Sequence, residues 1–110
     1  MAKQSAQLDR IFYALADPTR RAVLRRLGRS PAAVSELAQP FRMALPSFTQ
    51  HLNVLEECGL VRSKKTGRVR TYQAAPRPLK MVEQWLAEHR EVWENRLSQL
   101  DSFLETMKEK

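Results

Sequence analysis

Leu45-Pro-Ser-Phe-Thr-Gln-His-Leu-Asn-Val-Leu-Glu-Glu-Cys58 decides the fold, with Gly59 and the run Leu60-Val-Arg-Ser-Lys-Lys-Thr-Gly-Arg-Val-Arg-Thr-Tyr72 behind it. On a wheel of about 100° per residue, Leu45, Phe48, Leu52 and Leu55 fall within one sector of roughly 80°. The spacing predicts a helix over 45–58 that Gly59 terminates. Its opposite sector holds Pro46, Gln50, Asn53 and Glu57, with Ser47 and Thr49 to either side. An ordinary solvated helix carries a Lys/Glu mixture there. Short and amide side chains suit another use, because Gln and Asn both donate to and accept from adenine's major-groove edge. Ser and Thr can contact bases or phosphates. His51 sits at the edge of the apolar sector, placed for a backbone carbonyl or for a phosphate.

The flanking segments complete a motif. Upstream, a short helix is expected near Ser35–Gln39, with Ser35 as its cap, Leu37 and Ala38 inward and Pro40 closing it. Phe41-Arg42-Met43-Ala44 turns into the second helix, so residues 34–58 read as a helix-turn-helix. Downstream, extended runs flank Lys65-Thr66-Gly67 and predict a β-hairpin over 60–73. Arg62, Lys64, Lys65, Arg68 and Arg70 give that hairpin five positive charges and no negative one. A basic hairpin directly after a recognition helix is a wing, able to follow phosphates or enter a minor groove.

Further helices lie outside this centre. Leu8, Ile11, Phe12 and Leu15 make one stripe of a first helix over 5–16. Asp17-Pro18 starts another, since Asp accepts from free helix N–H groups and Pro fits the first turn. Ala22, Val23, Leu24 and Leu27 are its apolar side, and Gly28 ends it. Pro76 and Pro78 precede a last helix over 79–107, where Leu79, Val82, Leu86, His89, Trp93, Leu97, Leu100, Leu104 and Met107 recur at 3/4 spacing. A stripe that long exceeds what one small domain covers, so a helix from a second subunit is expected against it. The fold class is mainly α with a small β-hairpin: one winged helix-turn-helix domain over residues 1–110 with a long C-terminal dimerisation helix.

Charge points the same way. Of the net +7, residues 1–72 carry +8 and residues 73–110 carry −1. The basic front suits a polyanion such as double-stranded DNA, and the neutral back suits an apolar partner. No apolar run reaches the roughly 18 residues of a membrane span, and the N-terminus has no signal-peptide core. Together with a single cysteine, this predicts a cytoplasmic protein with no membrane partner.

Four stretches together resemble the ArsR/SmtB-type winged-helix repressors: Ala14-Leu-Ala-Asp-Pro-Thr-Arg-Arg-Ala-Val-Leu24, Val34-Ser-Glu-Leu-Ala38, Thr49-Gln-His-Leu-Asn-Val-Leu-Glu-Glu-Cys-Gly-Leu-Val61 and Gly67-Arg-Val-Arg-Thr-Tyr72. The resemblance covers roughly residues 8–104, and the Trp-rich last helix looks like the branch that does not sense metals. It implies a homodimer paired through the first and last helices, which places Leu8, Ile11, Phe12, Leu15, Leu86, His89, Trp93, Leu97, Leu100 and Leu104 at the interface. It also implies an inverted-repeat operator and repression, often of the chain's own operon. By position, Ser47, Thr49, Gln50 and Asn53 face bases, beside Pro46 and His51. Arg62, Lys64, Lys65, Arg68 and Arg70 act in the wing. Ala44 departs from the family's capping Ser or Thr, which removes one bond of about 1 kcal/mol.

No cofactor is expected. Cys58, His51 and His89 are too few soft ligands for a closed metal site in one chain. A metal- or redox-responsive site shared between subunits is one alternative. Cys58 reads as a small packed residue, its thiol expected to be raised by Glu56 and Glu57. Arg20, Arg21, Arg25, Arg26 and Arg29 read as a solvated face, with Arg20 near enough to the apolar side to pair with a carboxylate. No nucleophile–base pair, phosphate-cradling loop or paired carboxylates suggest an enzyme. A winged-helix protein–protein adaptor is the other rival, and no pocket signature names an inducer.

Overall fold

The computed structural model describes residues 2–108. The elements are α1 (Ala2–Leu15), α2 (Pro18–Leu27), β1 (Ala32–Ala33), α3 (Val34–Ala38), α4 (Leu45–Glu57), β2 (Val61–Thr66), β3 (Val69–Ala74) and α5 (Leu79–Lys108). The chain divides between Lys80 and Met81 into two compact units. The first contains everything from α1 to the opening of α5, and the second is the rest of α5.

In the first unit the predicted stripes meet in one core. Ile11 and Ala14 of α1, Val23 and Leu27 of α2, Leu37 of α3, and Phe48, Leu52 and Leu55 of α4 are buried. Cys58, Leu60, Val61 and Tyr72 close it on the strand side. Asp17 caps α2 as its position foretold, its Oδ2 accepting from the Arg20 amide at 3.1 Å. The end of α4 is a Schellman turn: the Leu60 amide donates to the Leu55 carbonyl, and the Gly59 amide to that of Glu56. Gly59 takes φ +83°, a left-handed conformation that glycine adopts without steric cost.

Several boundaries differ from expectation. Helix α1 begins at Ala2 rather than Ser5. Helix α3 begins at Val34 behind Ala33, which makes no side-chain cap, so Ser35 lies inside the helix. Gly28 stays right-handed at φ −62°, and α2 simply stops there. Ala32–Ala33 is a third strand, which nothing in the sequence pattern announces. The sheet order is β1-β3-β2, all antiparallel, with Ala32 opposite Tyr72 and Ala33 opposite Thr71. Two alanines carry too little pattern to announce a strand. They pair because β3 offers an edge and Ala32 fits against the core at 2% exposure.

The hairpin turn is also tighter than expected. Thr66 pairs with Val69, so only Gly67 and Arg68 are unpaired. Gly67 has φ +63°, and no other described residue except Gly59 has a positive φ. A glycine at the first of two loop positions is what a type II′ turn requires.

Helix α5 spans 30 residues and buries none of them. Trp93, Leu97, Leu100, Phe103, Leu104 and Met107 are all at least 45% exposed. Among the described residues, no helix is long and apolar enough to cross a membrane.

Candidate nucleic-acid interface

Helix α4 is held by its buried row, which fixes what it presents outward. Phe48, Leu52 and Leu55 are fully buried, and Phe41 packs on Phe48 with ring centroids 5.3 Å apart. Pro46, Ser47, Gln50, Asn53 and Glu57 are exposed, and Thr49 is half-buried. The polar face read from the wheel is thus one outward surface. Leu45 is the exception in the apolar row: it is 56% exposed, although the wheel places it with the core.

His51 does not join that face. Its Nδ1 accepts from Arg20 Nη1 at 3.0 Å, which puts the ring proton on Nε2, and Asp17 Oδ2 lies 3.8 Å from the same nitrogen. Arg20 is 7% exposed and finds backbone oxygens where a carboxylate was expected. Nε donates to the Ala14 carbonyl at 2.7 Å and Nη2 to that of Tyr13 at 2.9 Å. Its guanidinium also lies 5.0 Å from the Tyr13 ring centroid. One side chain therefore bonds two carbonyls at the C-terminal end of α1, sits on α2 and grips α4. The signal in the sequence was an arginine on the apolar side of α2, but its partners are remote in the chain. The other arginines of that helix do face outward: Arg21 bonds the Leu15 carbonyl, and Arg26 bonds Ser30 and lies 3.7 Å from Glu36.

Asp17 belongs to the same cluster. Burial favours its neutral form, but the Arg20 amide bond and the positive charge nearby outweigh that, and its carboxyl is held below the ordinary value.

The wing's five cations do not share one surface. Cross-strand neighbours point the same way, and successive residues alternate. Val61, Ser63 and Lys65 therefore pair with Ala74, Tyr72 and Arg70 on one face, which meets the core at Val61 and Tyr72 and leaves Lys65 and Arg70 exposed toward the turn. Arg62 and Lys64 pair with Gln73 and Thr71 on the outer face, and Arg68 stands in the turn. Arg70 is tied down: its Nη1 donates to Ser63 Oγ at 2.8 Å, and Ser63 Oγ donates to Glu56 Oε2 at 2.6 Å. This chain fastens the wing to α4, and sequence reasoning missed it because Glu56 and Ser63 belong to different elements. Tyr72 beside it is pushed above the ordinary phenol range, first by burial and then by Glu56.

Cys58 is buried, and its Sγ donates to the Leu55 carbonyl at 3.4 Å. Its thiol is raised, as expected, but burial is the cause; Glu56 and Glu57 are not, and the nearby charges of Arg10 and Arg20 act in the opposite direction. Among the described residues, no group of three or more His, Cys, Asp or Glu side chains could hold a metal ion.

The expected interface residues separate into two groups. Ile11 is 0% exposed within its own unit, so it is core and has no area left for a partner. Leu8, Phe12 and Leu15 are half-buried. On α5, Leu86, Trp93, Leu97, Leu100 and Leu104 are exposed. His89 is exposed too, with its Nδ1–H donating to the Trp85 carbonyl at 2.8 Å and its ring stacked on Trp85 at 4.0 Å.

Known proteins share this arrangement. A helix-turn-helix domain family model matches residues 15–64. The HTH-type transcriptional regulator Rv2034 of Mycobacterium tuberculosis is 46% identical over 68 residues, which are 62% of this chain and 64% of that protein. The chain thus spans just under two thirds of that relative. The crystal structure of the ArsR family transcriptional regulator RHA00566 is 60% identical and superposes with a TM-score of 0.79, covering 82% of this chain and 93% of that one. The homodimeric winged helix-turn-helix DNA-binding domain of Mb0332 from Mycobacterium bovis, a possible ArsR-family regulator, is 26% identical with a TM-score of 0.64, covering 89% and 88%.

Proposed function

Because the chain belongs to the ArsR family of winged helix-turn-helix transcriptional regulators, we propose that it is a homodimeric repressor that binds an inverted-repeat operator, its own promoter being the first candidate. The carrying observation is the outward face of α4, where Ser47, Gln50 and Asn53 stand exposed over a fully buried Phe48-Leu52-Leu55 row. A helix fixed that firmly can offer amides to base edges in one register. The turn of the wing, with Arg68 at its tip and Lys65 beside it, supplies phosphate contacts without base preference. Two copies joined through the apolar face of α5 would present two recognition helices to half-sites about 34 Å apart. Occupying a promoter in this way blocks transcription by exclusion. The α1 residues Leu8, Phe12 and Leu15 extend the dimer surface in this reading, and Ile11 does not.

The test is a fluorescence-anisotropy titration of the purified chain against the DNA upstream of its own gene and a random duplex, across a salt series, with and without zinc. Tight binding to the upstream DNA alone that weakens steeply with salt supports an autorepressor. Equal weak binding to both duplexes removes the autorepressor reading and favours the adaptor. Release by zinc would establish a metal site shared between subunits.

A further inference from the structure

On the premise that α4 reads DNA, we infer that Leu45 recognises the C5-methyl group of thymine in the major groove and so helps to determine the operator's sequence. The helical wheel assigns Leu45 to the buried row, yet it is 56% exposed while Phe48, Leu52 and Leu55 are 0% exposed. The reason is its place at the first position of the helix. Every Cα–Cβ bond of a helix tilts toward the N-terminus. A side chain at the first position therefore projects beyond the backbone that could cover it. Recognition helices present this same end to base edges.

The neighbourhood restricts what that end can contact. Met43, Ala44, Leu45 and Pro46 are four consecutive exposed residues without a side-chain nitrogen or oxygen. Met43 is 36% exposed, and Ala44 makes no side-chain cap. The first polar side chain of the outer face is Ser47, followed by Thr49 and Gln50. The leading edge of the reading surface is thus apolar and continuous with its polar part. Among major-groove base edges, the thymine methyl is the apolar group such an edge can bury against. On the wheel Leu45 lies about 40° from Thr49, so both can address adjacent base pairs.

The full chain is used to enrich duplexes from a random-sequence library, and the enriched duplex is remade with deoxyuridine in place of thymidine throughout. Dissociation constants for both duplexes are measured with the wild type, Leu45→Ala and Ser47→Ala. Circular dichroism confirms that each variant is folded. The wild type should bind the uracil duplex about fourfold more weakly for each methyl contacted, and roughly fifteenfold for one in each half-site. Leu45→Ala should bind thymine DNA more weakly and lose the thymine-to-uracil ratio. Ser47→Ala should lose affinity and keep that ratio. Any effect of uracil on duplex shape is common to all three proteins and cancels in the comparison. A wild type indifferent to uracil, or a Leu45→Ala variant that retains the full ratio, overturns the inference and leaves DNA binding intact. Failure to enrich any duplex overturns the DNA-binding reading and this inference with it.

Discussion

Arg20 and His51 are joined across 31 positions of sequence by a 3.0 Å hydrogen bond from guanidinium to Nδ1. That bond links the start of α2 to the middle of α4, while the same guanidinium closes the end of α1. The orientation of the reading helix thus depends on a polar contact inside the fold as well as on apolar packing.

Arg20→Ala should therefore destabilise the fold by about 2–4 kcal/mol, because the Ala14 carbonyl and the His51 nitrogen lose their donor and the Tyr13 carbonyl keeps only the Ala16 amide. Arg20→Lys should recover only part of this, since an ammonium cannot reach three acceptors in the guanidinium's planar fork. Urea denaturation measures both. A loss below 0.5 kcal/mol for the alanine variant, a margin typical of surface substitutions, would refute the clamp.

Asp17 gives the cluster a pH dependence. Its carboxyl titrates below the ordinary value in the fold, so the folded state binds fewer protons than the unfolded one near that range. The stabilisation is present above the unfolded value of about 4 and is lost as pH falls through the folded one. Asp17→Asn keeps a capping side chain and removes the charge. The variant should be less stable than wild type at pH 6 and converge with it in acid, as followed by thermal melts across that range. A gap that widens on acidification would show that the sign is wrong.

The wing cations should not be equivalent. Arg68 stands in the turn, and Arg70 is tied to Ser63 by a hydrogen bond. Arg68→Ala should weaken binding to all DNA sequences alike and shallow the dependence on salt by about one phosphate contact. Arg70→Ala should change the salt slope less. Ser63→Ala should cost about 1–2 kcal/mol of stability by stranding Glu56. Gln50→Ala differs again: it should cost roughly 1–3 kcal/mol of binding and relax base preference. Equal losses with unchanged sequence preference for Gln50→Ala and Arg68→Ala would contradict this division.

Cys58 should be inert. Its thiol is buried and raised by burial, so the reactive thiolate is scarce at neutral pH. Labelling with iodoacetamide at pH 7.5 should be at least about tenfold slower in the native protein than in urea. Comparable rates would reopen the redox reading.

The exposed face of α5 carries the proposed dimer. Leu97→Glu places a charge among Trp93, Leu100 and Leu104 and should shift sedimentation from dimer toward monomer. Operator affinity should then fall with the dimer fraction, because one half-site alone binds weakly. A variant that stays dimeric would move the interface elsewhere.

Much of this was legible in the chain. Periodicity located the helices, Asp17-Pro18 and Gly59 punctuated them, and Gly67 with its flanking runs announced the hairpin. These are local signals: a stripe, a cap or a turn is written within a few consecutive residues. The amide-rich face of α4 was readable for the same reason, once its apolar row was identified.

Where the sequence reading departed from the fold, the deciding partner lay far along the chain or the decision was three-dimensional. A wheel gives Leu45 an angle but not a depth, and only the end of the helix leaves that angle uncovered. The hairpin's cations could be counted, but their division between faces needed the register of β2 against β3. Ile11 looked like interface until α2 and α4 enclosed it, and Ala32–Ala33 became a strand only because β3 had an edge to offer. Arg20 could be seen on the apolar side of its helix, but not that it would clasp Tyr13, Ala14 and His51. The five helices, the hairpin and the chemistry of the reading face were written in the chain, because each rests on short-range pattern. Tertiary structure alone decided which side chains were spent holding that face in place, because hydrogen bonds and burial depend on contacts between residues that the chain keeps apart.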